Sequence, residues 1–216
     1  MPIWAIVPVK PFLKGKSRLH QMLETEEVVE LNRGLFLHTI QLLQNTPEID
    51  EILVVSRSES VIRLAAGLNT RTLREKRPYS LNSAVNQAQT VLQNVTDVKI
   101  LIVPTDLPWM EQRDLAKFLS MIGNSGRQVG MVSDQHKQGT NLLFISPVNQ
   151  MCSLFGTSSY LNHCQAALES GADLLIYELE NIQRDLDNPA ELVAFLLEKP
   201  EIISNSHKKE RSIIHV

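Results

Sequence analysis

Through residue 122, apolar runs of strand length alternate in this chain with stretches whose apolar residues recur at helical spacing. That alternation limits the fold more than any other feature. IWAIVPV (3–9), EILVVS (51–56), TRTLRE (70–75) and KILIVP (99–104) read as strands. Residues 26–45, 60–68, 81–95 and 111–122 read as helices, with Leu81, Val85, Ala88 and Leu92 on one face of the third. Strand, helix, strand in this order implies parallel pairing, right-handed crossovers and helices on both faces of a sheet. Beyond residue 128 the helices thin out. QVGMVS (128–133), NLLFIS (141–146) and DLLIYEL (173–179) read as strands, and 159–171 and 189–199 as helices. The last helix has Pro189 at its first position and Asn188 as its cap.

The expected fold is therefore α/β, with a mostly parallel central sheet and a small antiparallel excursion in the second half. A chain of 216 residues can bury roughly 70–75% of its unfolded surface, so residues 1–199 are expected to form one domain. Residues 200–216, ending in SNSHKKERSIIHV, turn polar and are expected to be a flexible tail. A net charge of −3 and a pI near 6.1 argue against a nucleic-acid or membrane-surface binder, which usually carries a basic face. No apolar run reaches the ~18 residues of a spanning helix. Cys152 and Cys164 lack metal-ligand companions and suit a reducing compartment, so a cytoplasmic location is expected.

Against that acidic balance, VPVKPFLKGKSRL (7–19) gathers Lys10, Lys14, Lys16 and Arg18 without one acid. In open α/β sheets, ligands bind beyond the carboxyl ends of the strands, and this loop leaves the first strand. It is neither GxxxxGK[ST] nor GxGxxG. Gly15 lets the backbone approach a ligand between two ammonium groups. Charge-assisted hydrogen bonds are worth about 1.5–3 kcal/mol each, so these cations suit a nucleoside triphosphate. TDLP (105–108) places Asp106 just past a buried strand, where a carboxylate can meet Mg²⁺; capping a helix near Glu111 is the alternative. In RDLDNP (184–189), Asp185 and Asp187 fall on one side of an extended segment, about 6–7 Å apart, and a divalent cation would relieve their repulsion. Capping of the last helix accounts for Asp187 alone. GTN (139–141) and FGTSS (155–159) look like phosphate cradles, the second at a helix start. His163, one turn further on, reads better as a satisfied surface or core histidine than as a ligand.

In this order VPVKPFLKGKSRL, SLNSAV, PTDLP, QGTNLL, FGTSSYLNH and DLDNPAEL resemble the guanylyltransferases of deazaflavin (coenzyme F-420) biosynthesis, across roughly residues 3–197. The resemblance implies a single-domain Rossmann-like, nucleotide-diphospho-sugar-transferase (GT-A-like) fold. It implies GMP transfer from GTP to phosphoenolpyruvate or 2-phospho-L-lactate, with release of pyrophosphate. It implies two Mg²⁺ ions on Asp106, Asp185 and Asp187. Lys10, Lys14, Lys16 and Arg18 would meet the triphosphate, Ser80 and Asn82 would lie near the nucleobase, and Thr140, Asn141, Gly156 and Ser159 would hold the acceptor. The chain departs from the family at Ser80, where Gly is usual, and at DQHKQ (134–138), where relatives are Gly-rich. The rivals are a sugar-phosphate or molybdopterin-type nucleotidyltransferase, and a nucleotide-binding regulator without turnover. Three convergent carboxylates speak against the last. A homodimer is left open.

Overall fold

A computed structural model describes residues 1–95, 97–123 and 126–203. Seven strands, β1 (Ile3–Pro8), β2 (Glu51–Ser56), β3 (Arg71–Arg74), β4 (Lys99–Ile102), β5 (Gln128–Ser133), β6 (Thr140–Ser146) and β7 (Asp173–Ile176), form one sheet in the order β3-β2-β1-β4-β6-β5-β7. The helices are α1 (Thr25–Gln44), α2 (Glu59–Gly67), α3 (Leu81–Leu92), α4 (Gln112–Met121), α5 (Ser159–Glu169), α6 (Glu180–Gln183) and α7 (Pro189–Glu198). β1 pairs in parallel with both β2 and β4. The chain thus steps outward through β2 and β3, and α3 carries it back to the other side of β1. The crevice at such a reversal is where open α/β sheets bind ligands.

The antiparallel excursion is β6, which runs against both β4 and β5, while β5 and β7 are again parallel. Because β6 is reversed, its first residue, Thr140, lies at the sheet end reached by the carboxyl ends of its antiparallel neighbours β4 and β5.

Side-chain alternation splits the apolar strand residues between two faces. Ala5, Val7, Leu101, Val103 and Phe144 pack with Phe36, Ile40, Leu43 and Phe118. Ile6, Ile100, Ile102, Leu143 and Ile145 pack with Val85, Leu92 and Ala167 on the other side. A third cluster joins Leu19, Leu31, Leu35, Trp109, Leu186, Phe195 and Ile202. Helix starts follow local chemistry. Glu24 and Glu27 form a capping box on α1 and Glu111 and Asp114 one on α4. Asn188 accepts from the Ala190 and Glu191 amides, with Pro189 next to it.

Three local features depart from the sequence reading. The basic loop winds into two short 3-10 turns, Phe12–Lys14 and Ser17–Gln21. β7 stops at Ile176, and Glu180–Gln183 form a one-turn helix before the acidic segment. Packing also continues past residue 199, since Ile202 is buried and its carbonyl lies 3.0 Å from where a Cβ on Gly34 would stand. The tail segment 204–216 lies outside the described residues. Among the described residues no helix is long and apolar enough to cross a membrane.

Candidate active site

A cleft of about 270 Å³ opens at the carboxyl ends of β1, β2 and β4, lined by Lys10, Gly15, Lys16, Asp106 and Asp187 among others. Lys16 is its centre. Its Nζ donates to Asp106 Oδ2 at 2.8 Å and to Asp187 Oδ1 at 2.7 Å, and only 7% of the side chain is exposed. The backbone at Lys16 is left-handed, φ 53°, a conformation mildly unfavourable for a side-chain-bearing residue. Behind it, Asn32 of α1 donates to the Phe12 carbonyl at 2.7 Å and sits so close to Gly15 that any Cβ there would meet it at 2.7–2.9 Å. A side chain at Gly15 would therefore push the Asn32 amide off the Phe12 carbonyl.

The carboxylates converge through a backbone tie. The Leu186 amide donates to the Asp106 carbonyl at 2.9 Å. Leu186 is fully buried in the third cluster, and Asp185 and Asp187 flank it. Burial raises the Asp185 pKa to about 6, helped by the charges of Asp106 and Asp187. Burial would also raise Asp187, but Lys16 overrides it, with Arg18 and Lys10 adding at longer range, and the pKa falls. Burial opposes the charge on Lys16 as well; Asp106 and Asp187 more than offset it and hold its pKa up. Trp109, three residues past Asp106, and Arg184, beside Asp185, are joined from behind. Arg184 lies 4.0 Å over the Trp109 ring, and both donate to Glu198 of α7.

Among the described residues no three His, Cys, Asp or Glu side chains are drawn together as a ready-made metal cage. The Lys16 ammonium stands between two of the three expected ligands. The donor set nonetheless fits Mg²⁺, since it offers only hard oxygens and its three carboxylates outnumber the one ammonium between them.

The other expected residues are distributed as follows. Lys10 lines the cleft; Lys14 and Arg18 are exposed and do not. Ser80 lines the cleft and caps α3, its hydroxyl accepting from the Ser83 amide at 3.1 Å. Asn82 is engaged elsewhere: its amide donates to the Phe155 carbonyl at 2.8 Å, and its Oδ1 accepts from the Phe155 amide at 2.6 Å. Asn141 is buried and donates to the Ile182 carbonyl at 2.9 Å. Gly156, at φ 127°, makes the turn into α5 that a side chain would strain. Thr140 and Ser159 are buried next to each other, with their hydroxyls 3.4 Å apart.

The sequence reading missed Asn32, Arg57, Glu75 and Tyr79, all of which line the cleft. Arg57 lies 4.7 Å over the Tyr79 ring, which stands one residue before Ser80. A signal was present: Arg57 and Glu75 directly follow the carboxyl ends of β2 and β3, the positions that the crevice rule singles out.

Comparison with known proteins agrees with this architecture. A family model described as "Guanylyl transferase CofC like" matches residues 3–211. A phosphoenolpyruvate guanylyltransferase of Rubrobacter xylanophilus is 30% identical, covering 89% of this chain and 92% of its own. A 2-phospho-L-lactate guanylyltransferase of Methanosphaera stadtmanae is 28% identical, over 90% and 84%. Among solved structures, a nucleotidyl transferase from Methanothermobacter superposes with a TM-score of 0.66 at 14% identity, covering 94% of this chain and 99% of that one.

Proposed function

Because the chain belongs to the CofC-like guanylyl transferase family, we propose that it transfers GMP from GTP to a small phosphorylated three-carbon acid. The acceptor is phosphoenolpyruvate or 2-phospho-L-lactate, the leaving group is pyrophosphate, and the setting is coenzyme F-420 biosynthesis in the cytoplasm. The observation that carries the reading is the meeting of Lys16 with Asp106 and Asp187 on the floor of the cleft, beside Asp185.

In the reaction, an oxygen of the acceptor's phosphate attacks the α-phosphorus of GTP. A new O–P bond forms as the bond to the bridging α,β oxygen breaks, and the electron pair leaves on pyrophosphate. The attacking oxygen is already ionised near neutral pH, so no side chain has to remove a proton from it. Catalysis then rests on holding two polyanions in line and neutralising their charge. Lys16, on a flexible four-carbon stem, exchanges its carboxylate partners for a triphosphate oxygen, and Lys10 meets the phosphates at the rim. Tyr79, backed by Arg57, and Ser80 wall the side of the cleft that takes the base. Asp106, Asp185 and Asp187 would hold Mg²⁺, two ions on the family pattern, which supplies positive charge against the α-phosphate and the leaving pyrophosphate.

Pyrophosphate release, measured for four nucleoside triphosphates crossed with a panel of phosphorylated three-carbon acids and sugar 1-phosphates, tests the reading. Turnover is expected with GTP and one of the two named acids. Turnover with sugar 1-phosphates alone, or none with any pair, would overturn it.

A further inference from the structure

The mechanism leaves a buried histidine without a task. His163 of α5 is fully buried, and both ring nitrogens are engaged. The Leu154 amide donates to Nε2 at 2.8 Å. A backbone N–H cannot be reversed, so Nε2 must be the bare nitrogen and the ring proton must sit on Nδ1. Nδ1 lies 2.9 Å from Thr140 Oγ1 and therefore donates to it. The Ser159 hydroxyl donates to the same oxygen from 3.4 Å, a weaker contact. Burial lowers the His163 pKa to about 4, so the ring is neutral at the pH of the cell and keeps this tautomer. The loop that supplies the Leu154 amide is itself held, by Asn82 on the Phe155 backbone and by an edge contact of 4.9 Å between the Phe155 and His163 rings.

A hydroxyl has two lone pairs and one hydrogen. At Thr140 both lone pairs are already taken, by His163 and by Ser159. What remains is the hydrogen, for which no acceptor is found among the described residues. We infer that His163 is a positioning residue, which fixes Thr140 as a hydrogen-bond donor toward an anionic oxygen of the acceptor's phosphate. This deepens the reading above and rests on Thr140 lying against the acceptor. It also gives a source of selectivity. A phosphate or carboxylate oxygen satisfies such a hydroxyl, whereas a ligand group that can only donate finds no acceptor there.

Three variants test this, Thr140→Val, His163→Ala and the pair, with Michaelis constants for phosphoenolpyruvate or 2-phospho-L-lactate and for GTP. Each single change is expected to raise the acceptor KM about 10- to 100-fold, the range for a hydrogen bond to a charged group, with the GTP KM within about twofold. The pair should be no worse than either alone, because one interaction is being removed twice. An unchanged acceptor KM in Thr140→Val would remove Thr140 from the acceptor site and this inference with it. A normal acceptor KM in His163→Ala, or strictly additive losses in the pair, would overturn the coupling while leaving the guanylyltransferase reading intact. Should His163→Ala not fold, nitrogen-15 NMR of the wild-type imidazole decides: a proton on Nδ1 supports the assignment, and one on Nε2 overturns it.

Discussion

The carboxylate half of the site and the threonine–histidine half are held together by opposite physics. In the first, Lys16 is clamped between Asp106 and Asp187, whose side chains stay 30% and 47% exposed. Such pairs gain little net free energy, since desolvation offsets the attraction. They can be exchanged for other charges at small cost. In the second, Thr140, His163, Ser159 and the Asn82–Phe155 clasp make neutral hydrogen bonds, those at Thr140 buried and the others part-buried. Each adds about 1 kcal/mol net, but leaving a buried partner unmet costs more. On the proposed reading, one half would trade partners with a polyanion and the other would keep its shape against a ligand.

The sharpest way to break the contrast is Asp106→Asn. It keeps the shape and removes one charge, so turnover should fall about 10²–10³-fold, as for loss of a single electrostatic group, with the melting temperature near wild type. Steady-state rates at saturating Mg²⁺ beside a thermal melt decide it; undiminished turnover would mean that the charges there do no chemistry.

The neutral half should instead reveal itself in stability against pH. His163 refuses a proton in the folded state until about pH 4, whereas the unfolded chain accepts one near 6.5. As pH falls through that window the unfolded state binds more protons, so stability declines, by roughly 3 kcal/mol in all. Denaturant melts of wild type and His163→Asn at several pH values should differ by that slope; identical slopes would show that the ring is not held neutral.

Lys16→Ala should weaken GTP binding by about 1.5–3 kcal/mol and acceptor binding by less. Calorimetric titration of each ligand separates the two, and equal losses would erase the division between the halves. The smallest effect belongs to Ser80→Gly at the base side. Replacing this cap by Gly should lower stability by only a few tenths of a kcal/mol. It should raise the GTP-over-ATP ratio of kcat/KM by an amount at the lower end of ~1–3 kcal/mol. An unchanged ratio would place Ser80 out of reach of the base.

How much of this was legible before folding follows the range of each interaction. The four strands and four helices of the first half were readable because apolar periodicity is local, and so were Asn188 and Pro189 at the start of α7. Asp106 stood out because it follows a buried strand, and Asp185 and Asp187 because they alternate onto one side of an extended segment. That Lys16 would lie between Asp106 and Asp187 was not readable, since those partners are 90 and 171 residues away. Gly15 looked like an opening toward a ligand, yet its missing side chain makes room for Asn32. The resemblance offered Asn82 and Asn141 as ligand contacts, and an amide has the same donors and acceptors for a nucleotide as for the Phe155 and Ile182 backbone that these two meet. Only the fold reveals which it meets.

The reversed strand has a consequence for how the chain is made. β4, buried along its whole length, is flanked by β1 on one side and β6 on the other. During synthesis β1 is ready when β4 emerges, but β6 is encoded only at residues 140–146. β5 emerges in between and cannot help, because its place lies beyond β6. At ribosomal speeds of about 5–20 residues per second, roughly two to nine seconds separate the ends of β4 and β6. For that interval the nascent half-sheet presents an unpaired apolar edge of the kind that recruits other chains. The strand that completes the sheet also ends its exposure, so a truncation or stalled synthesis before Thr140 should leave an aggregating fragment, where one ending after Ser146 has its central edge closed.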